Sequence, residues 1–300
     1  MLKMLKNGLG RATALLAGLA ITGCATQTQS PTAAAAARPA LWRVADADTT
    51  IYLFGTIHAL PEGATWRTPA LEQAMAASDE LVTEIRLDDT AAAAAAFGRL
   101  GLAAGLPPIL ERVPEGKREQ LRTALAGTGL PAAALDRLKT WAVAVTLAQV
   151  LFQRAGLNPE LGVERSLTAS FEGKPMSGLE TVEQQFGFFD SLPEEAQRAF
   201  LEGVLESPEE IRGQFDQMLR AWSSGDTRAI GRTFNEDTTM SANLREILLT
   251  RRNARWAEWV QQRLARPGTV FVAVGAGHLA GEDSVQDYLR QRGLRAQRVQ

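Results

Sequence analysis

The chain has 300 residues, a formal net charge of -2, one cysteine and two histidines. A single cysteine excludes an internal disulfide and any zinc or iron–sulfur site that needs several thiolates. The nearly balanced charge does not predict nucleic-acid binding, which requires a clustered basic face.

The first 23 residues are predicted to be a signal peptide. Three basic residues and no acidic residue precede an apolar run over residues 12–21. This run is too short to span a bilayer as a helix. The segment ends in Ile21-Thr22-Gly23-Cys24, which resembles a bacterial lipobox. We therefore expect Cys24 to carry a lipid that attaches the chain to a membrane surface. The alternative is an ordinary signal peptide followed by a chance cysteine.

Residues 24–40 are rich in Ala, Thr, Gln and Ser and end near a proline, which predicts a flexible tether. Ala25 follows the cysteine, and by resemblance to Gram-negative sorting signals this favours an outer-membrane location facing the periplasm. Without the three cations of the predicted signal peptide, 29 of the 32 basic residues remain beside 34 acidic residues. The predicted mature chain therefore has a net charge of about -5.

The globular part is predicted to start with strands. The apolar runs Leu41–Val44 and Thr50–Phe54 flank a polar turn and predict a hairpin that ends at Gly55. Pro69 begins a predicted helix that reaches about Ala77. The alternating segment Glu80–Leu87 predicts a strand with Glu84 near its C-terminal end.

The middle of the chain is predicted to be helical. Residues 89–171 are rich in Ala and Leu at helical spacing, and Leu138–Arg154 is the most regular helix. After a short strand at Lys174–Leu179, the spacing predicts helices over Val182–Asp190, Glu194–Leu205, Pro208–Trp222, Asp226–Phe234 and Ser241–Ala265.

The chain then returns to strand. The continuous apolar run Thr269–Val274 predicts a strand buried on both faces, followed by a helix over Ser284–Gln291 and a last strand over Leu294–Val299. The predicted fold class is therefore α/β (mixed α+β). A central mixed sheet is built from N- and C-terminal strands, with a large helical insertion between them.

Both histidines follow a predicted strand in the same pattern, Gly55-Thr56-Ile57-His58 and Gly275-Ala276-Gly277-His278. Ligands bind at the carboxyl ends of strands in open α/β sheets, so we expect His58 and His278 to converge. We expect each glycine to permit a sharp turn that other residues cannot adopt. A single histidine at such a position is more often structural; the matched pair favours a site.

Acidic residues complete the predicted site. Glu84 with the two histidines forms a two-histidine, one-carboxylate set that suits a catalytic divalent metal. Glu180 ends another predicted strand and could be a fourth ligand or a general base. The alternatives are a surface strand carboxylate for Glu84 and a helix-start carboxylate for Glu180.

Three further residues are weaker candidates. Glu164 lies at a helix start and could merely pair with Arg165. Arg252 and Asn253 could orient a substrate carbonyl or carboxylate, although a salt-bridged helix face is an open alternative. The sequence contains no G-x-S-x-G, H-E-x-x-H or phosphate-loop motif.

The chain resembles the TraB/GumN family, which includes the Tiki proteases and belongs with the erythromycin-esterase and ChaN-like group. The resemblance rests on ordered blocks: LWRV with IYLFGTIHALPEG, LVTEI, GKPMSGLETVEQQ, RRNARWAEWV and FVAVGAGHLAGEDSVQDYLRQRGLRAQRV. It implies a mixed α/β fold in which the two G-x-x-H turns face one pocket.

In Tiki-like members this pocket is a divalent-metal-dependent protease site, with manganese or cobalt favoured over zinc. Carried onto this sequence, the resemblance implies metal ligation by His58, His278 and Glu84. Glu180 corresponds to the glutamate of GLET, and Arg252-Asn253 to the RN pair. Glu164 stands where aspartate is equally expected, which weakens its case as a ligand.

We therefore expect a lipid-anchored, metal-dependent hydrolase of the peptidase kind that acts on a peptide or small molecule. Two alternatives remain open at this stage. One is a non-enzymatic lipoprotein that binds haem or a metal, as ChaN-like relatives suggest. The other is a metal-free hydrolase similar to the erythromycin esterases, with histidine as the base. The sequence predicts neither the substrate nor the oligomeric state.

Overall fold

The fold is seen in a computed structural model that describes residues 37–86, 90–205, 207–236 and 242–300. The predicted signal peptide, Cys24 and most of the predicted tether lie outside these residues. Among the helices of the described ranges, none combines the length and apolar character needed to cross a bilayer.

Six strands form one mixed sheet in the order β4-β3-β5-β2-β1-β6. Their bounds are Leu41–Ala45 (β1), Thr49–Thr56 (β2), Glu80–Thr83 (β3), Met176–Gly178 (β4), Gly268–Gly275 (β5) and Gln297–Arg298 (β6). The four strands from β4 to β2 run parallel, whereas β1 and β6 are antiparallel to their neighbours. The carboxyl ends of the four parallel strands therefore lie along one edge of the sheet.

Helices connect and cover these strands. Their bounds are Pro69–Ala77 (α1), Thr90–Gly101 (α2), Arg118–Ala126 (α3), Ala132–Asp136 (α4), Thr140–Arg154 (α5), Val163–Ser170 (α6), Val182–Asp190 (α7), Glu194–Gly203 (α8), Pro208–Ser223 (α9), Thr227–Glu236 (α10), Ala242–Arg245 (α11), Arg251–Leu264 (α12) and Val285–Gln291 (α13). A π-helical turn, Glu246–Thr250, joins α11 to α12.

The two faces of the sheet pack against different helices. On one face, Phe54 contacts the rings of Trp66, Trp222 and Phe271. On the other face, strand residues such as Val272 share a core with α12 and α13. Strand β5 is buried on both faces from residue 270 to 275, as its continuous apolar sequence predicts.

A separate hydrophobic core holds the helical part together. Trp141 of α5 is fully buried, and its ring contacts those of Phe97, Phe186 and Phe189. Because Phe186 and Phe189 belong to α7, this core combines helices from before and after β4. The helical layer is therefore not confined to residues 89–171.

The predicted fold class is confirmed, with several differences at element boundaries. The strand predicted over residues 80–87 ends at Thr83, where the Thr83 hydroxyl donates to the carbonyl of Ile85 in a local turn. Beyond Gly178, the N–H groups of Leu179 and Glu180 still donate to the carbonyls of Thr83 and Glu84. The last strand is shortened to Gln297–Arg298, which is in register with Trp42 and Arg43, and the next residue, Val299, donates its N–H to the Leu41 carbonyl.

Candidate active site at the strand ends

Each of the four parallel strands is followed by a residue of the predicted site. His58 follows β2, His278 follows β5, Glu84 follows β3 and Glu180 follows β4. The register aligns these ends, because Thr56 is opposite Gly275 and Thr83 is opposite Ala273 and Gly178. The convergence therefore follows from the topology of the sheet.

A single point beside Gly275 shows how close the groups are. A Cβ atom added to Gly275 would lie 3.2 Å from Glu84 Oε1, 3.6 Å from His58 Nε2 and 3.6 Å from His278 Cδ2. The nearest atoms of the two imidazole rings are therefore separated by no more than twice 3.6 Å. The predicted convergence of the two histidines with Glu84 is present in this structure.

The glycines of the G-x-x-H turns act differently from the prediction. Neither Gly55 nor Gly275 has a positive φ, so neither supplies a conformation closed to other residues. Their role is to let neighbouring atoms lie closer to the backbone than a Cβ atom would allow. A Cβ at Gly55 would lie 3.0 Å from Ala276 Cα, and a Cβ at Gly275 would fill the space shared by the histidines and Glu84.

His58 is held by a carboxylate that the sequence analysis ranked as weak. Its Nδ1 lies 2.5 Å from Oε1 of Glu164, which also accepts a hydrogen bond from the Thr56 hydroxyl at 2.5 Å. The His58 side chain is 74 % exposed, whereas Glu164 is buried. The Glu164 carboxylate raises the pKa of His58 to about 9, through its charge and its hydrogen bond to the ring.

His278 is buried and its tautomer follows from its neighbours. The Asn253 amide nitrogen donates to the Asp283 carbonyl at 2.7 Å, so the Asn253 oxygen faces His278 Nδ1 at 2.6 Å. Since that oxygen only accepts, Nδ1 carries the proton and Nε2 presents its lone pair to the site. Burial lowers the pKa of His278 to about 3, with Glu84 opposing and Arg252 reinforcing the shift, so the ring is neutral near pH 7.

Arg252 lies between the acidic residues and His278. Its guanidinium donates to Glu84 Oε2 at 2.5 Å and to both oxygens of Glu180 at 2.9–3.1 Å. Its Nη1 lies 3.2 Å from His278 Nε2. All three charged side chains are largely buried, and Arg255 adds a longer contact to Glu180 at 3.5 Å.

Glu84 is ionised in this setting. Burial opposes its charge, but His278, Arg252 and His58, together with the Gly275 backbone N–H at 2.7 Å, lower the pKa of the carboxyl to about 2. Because His278 is neutral at pH 7, the permanent charge of Arg252 stabilises the Glu84 carboxylate more than His278 does at that pH. Arg252 in turn has a raised pKa, because Glu84 and Glu180 outweigh the cost of burying it.

An open cleft of about 330 Å³ gives access to this group. Its lining includes His58, Glu84, Glu164 and Gln185, while His278 lies buried behind them. Gln185 of α7 donates to Glu84 Oε2 at 3.0 Å and to Glu180 Oε2 at 3.5 Å. Gln185 was not among the predicted site residues, although it lies five positions after Glu180 on a helix capped by Thr181.

The residues present fit a divalent metal by their donor chemistry. Each imidazole has its Nδ1 bound to an oxygen acceptor. Nε2 of His58 faces the space beside Gly275, and Nε2 of His278 lies 3.6 Å from Glu84 Oε1. Metal-ligating histidines typically donate their other ring N–H to a carboxylate or carbonyl oxygen in this way. Within the described ranges, however, no group of three or more His, Cys, Asp and Glu side chains is close enough as placed to hold a metal. Arg252 instead provides the cation beside Glu84.

The family follows from a comparison with known proteins. The family model described as the TraB/PrgY/gumN family matches residues 40–298. The chain belongs to the TraB/PrgY/gumN family. All of the strand-end residues described above lie within the matched region.

The names of the matching relatives do not state an activity. An uncharacterized protein of Treponema pallidum (strain Nichols) is 25 % identical over 271 residues, which cover 84 % of this chain and 80 % of that protein. The uncharacterized proteins YbaP of Escherichia coli (strain K12) and of Shigella flexneri are each 28 % identical over 186 residues, covering 60 % of this chain and 67 % of theirs. No solved structure matches this chain.

Proposed function

We propose that this protein is a metal-dependent hydrolase of the peptidase kind, attached to a membrane by a lipid on Cys24. The observation that carries the hydrolase proposal is the convergence of His58, His278 and Glu84 around Gly275. Two imidazoles and one carboxylate with open positions are a common catalytic metal set. Manganese or cobalt is preferred to zinc on the family resemblance alone.

In this proposal, Nε2 of His58, Nε2 of His278 and the Glu84 carboxylate hold the metal. When bound there, a divalent ion lowers the pKa of water and polarises a carbonyl group. His278 is already neutral, with its lone pair directed inward. His58 must lose its Nε2 proton, because its pKa of about 9 leaves it protonated at neutral pH. Arg252 must move away from His278 Nε2 while remaining bound to Glu180.

Glu180 and Arg252 take roles that their contacts support. The Glu180 carboxylate accepts several hydrogen bonds from Arg252 and a longer one from Arg255. These contacts favour a positioning role for Glu180, and its role in proton transfer stays a prediction. Arg252 can bind an anionic or carbonyl oxygen of a substrate through the Nη1 that now contacts His278.

The test is hydrolysis of a peptide library by protein purified without added metal, before and after exhaustive chelation. We expect activity to disappear on chelation and to return with Mn²⁺ or Co²⁺. His58→Ala and His278→Ala should abolish both metal binding and activity, while Arg165→Ala, on the rim of the same cleft, serves as the matched control. Normal metal content and activity in both histidine variants would refute the proposal.

A metal-free hydrolase is the second candidate, and one observation favours it. Arg252 already places a cation next to Glu84 and His278, and the His58–Glu164 pair at 2.5 Å resembles a histidine oriented by a carboxylate. Activity that survives exhaustive chelation and depends on Glu164 would support this candidate. The haem-binding alternative stays a prediction, and a Soret shift lost in the histidine variants would test it.

A further inference from the structure

A second cavity shares no lining residue with the strand-end cleft and has basic walls. It has a volume of about 910 Å³ and lies among α10, the loop after His278, α13 and the segment that follows α13. Four arginines line it: Arg228 and Arg232 of α10, Arg290 of α13 and Arg295. We call this cavity the arginine groove.

The positive charge of the arginine groove is only partly compensated. Two carboxylates, Glu282 and Asp287, share its lining with the four guanidinium groups. Asp287 pairs with Arg290 at 2.9 Å. The other three arginines are exposed and form no ion pair with any residue of the described ranges. Asp226 does not line the groove but lies near Arg228 and Arg232, because its pKa is lowered by the Ala229 N–H and also by the charges of these two arginines. The four guanidinium groups of the lining contrast with the net charge of -2 of the whole chain.

Backbone contacts fix the spacing of these arginines. Gly231, between the two arginines of α10, packs against the loop so closely that a Cβ would lie 2.6 Å from Gly281 Cα. Trp42 also lines the groove, with the guanidinium of Arg298 5.2 Å from its ring centroid. The arginines from α10 and from the C-terminal segment are therefore presented by elements that are packed together.

The arginine groove lies beside the first described residues of the chain. The Arg38 N–H donates to the Ser223 carbonyl at 2.6 Å, and a Cβ at Gly225 would lie 2.6 Å from the Arg38 carbonyl oxygen. Trp42, four residues later, is part of the groove lining. In the sequence, only the predicted tether separates this region from Cys24.

We infer that the arginine groove binds the phosphate groups of anionic lipids and so orients the domain on the membrane that carries its lipid anchor. Arginine binds phosphate through paired hydrogen bonds, and a basic patch adds to the binding that a lipid anchor provides. This inference rests on the anchor in the proposed function and is independent of the hydrolytic chemistry. Salt should weaken the interaction, because exposed charges are screened.

The test uses the chain from residue 24 with Cys24→Ser, which removes the acyl contribution. A triple variant carries Arg228→Glu, Arg232→Glu and Arg295→Glu. The matched control carries Arg118→Glu, Arg154→Glu and Arg266→Glu, three exposed arginines elsewhere that make no ion pair with a described residue. Both variants change the net charge equally. Co-sedimentation is measured with vesicles of phosphatidylglycerol mixed with phosphatidylcholine and with vesicles of phosphatidylcholine alone.

We expect the parent and the control to bind the anionic vesicles, and the groove variant to bind at least about tenfold more weakly. Equal binding by the two triple variants, or equal binding of the parent to neutral vesicles, would overturn the inference. Binding of soluble tripolyphosphate without binding to anionic vesicles would also overturn it. Because the substituted arginines lie outside the strand-end cleft, hydrolysis should be unchanged in the groove variant, which separates this test from that of the proposed function.

Discussion

At the scale of the residue, Asn253 determines which nitrogen of His278 can bind a ligand. Its amide is fixed by the Asp283 carbonyl, and Asp283 has a φ of 57°, a left-handed conformation that is uncommon for a residue with a side chain. Such strain at a site persists when the surrounding contacts over-determine it. The hydrogen bond that His278 Nδ1 donates to the Asn253 oxygen leaves Nε2 unprotonated and able to bind a ligand.

We expect Asn253→Ala to shift His278 toward the tautomer protonated on Nε2 and to weaken metal binding by about 10–100-fold. Because the chain has two histidines, nitrogen-15 NMR of labelled histidine resolves all four ring nitrogens, and His58→Gln assigns them. Asn253→Asp keeps the acceptor oxygen and should keep the tautomer. An unchanged tautomer in Asn253→Ala would contradict the account of Asn253.

The Glu164 carboxylate controls the charge of His58. We expect Glu164→Gln to lower the pKa of His58 from about 9 toward 6.5, because the largest cause of the raised value is the charge of Glu164. NMR titration of the His58 ring measures this change. Glu160→Gln is the control, since Glu160 pairs with Arg165 on the same side of the cleft. A His58 pKa that stays near 9 in Glu164→Gln would show that the pair does not govern its titration.

The site residues that directly follow strands could be predicted from the sequence, whereas the residues that hydrogen-bond to them could not. His58, His278 and Glu84 stand directly after recognisable strands, so the topology of the sheet brings them together. Glu164 lies in the first turn of α6, and Gln185 lies inside α7. Nothing in the local sequence indicates that either helix faces the strand ends. Their roles depend on tertiary packing, which a single sequence does not encode in any local pattern.

At the scale of the element, α12 connects the site to the far face of the sheet. Arg252 and Asn253 are consecutive and both are buried, although consecutive helical residues point about 100° apart. The π turn at Glu246–Thr250 ends two positions before Arg252, and π turns are frequent at functional sites. The single long helix predicted over Ser241–Ala265 therefore did not include this π turn.

We expect Arg252→Ala to cost about 3–5 kcal/mol in the free energy of unfolding, because it leaves the buried carboxylates of Glu84 and Glu180 without their partner. Urea unfolding measures this loss. Arg251→Ala is the matched control on the same helix: its side chain is 62 % exposed and pairs with Glu246, so its loss should cost less than about 1 kcal/mol. Equal losses in the two variants would contradict the buried network.

Most elements could be predicted because their apolar periodicity reflects real burial. The pattern of α5 matches the predicted helix to within two residues, and α7 matches its predicted bounds. Strand ends were less well predicted: a local turn ends β3 at Thr83, and the last strand is in register with two residues of β1. The number of residues in a strand depends on its neighbour, and the neighbours here are far away in the sequence.

At the scale of the whole molecule, the site makes stability depend on pH. The pKa of His278 is lowered to about 3, so between pH 6.5 and 4.5 the unfolded chain binds a proton that the folded protein does not. The stabilisation is therefore present above pH 6.5 and is lost as the pH falls toward 3. We expect this group to contribute a slope approaching about 1.4 kcal/mol per pH unit in that window.

Urea unfolding at pH 6.5, 5.5 and 4.5 measures the slope. His278→Gln should flatten it, whereas His58→Gln should leave it unchanged. The pKa of His58 is raised to about 9, so its contribution is complete below pH 6.5 and is lost only as the pH rises through 9. A slope that survives in His278→Gln would refute the buried neutral state of this histidine.

Titration of histidine-labelled protein with Zn²⁺, a diamagnetic ion, followed by nitrogen-15 NMR, shows whether the two G-x-x-H turns share one metal ion. If His58, His278 and Glu84 form one metal site, the Nε2 signals of both histidines shift together and saturate at one ion per chain, while Glu84→Gln weakens both shifts. Shifts confined to one histidine, or saturation at different metal concentrations for the two rings, would show that the two G-x-x-H turns do not share a metal.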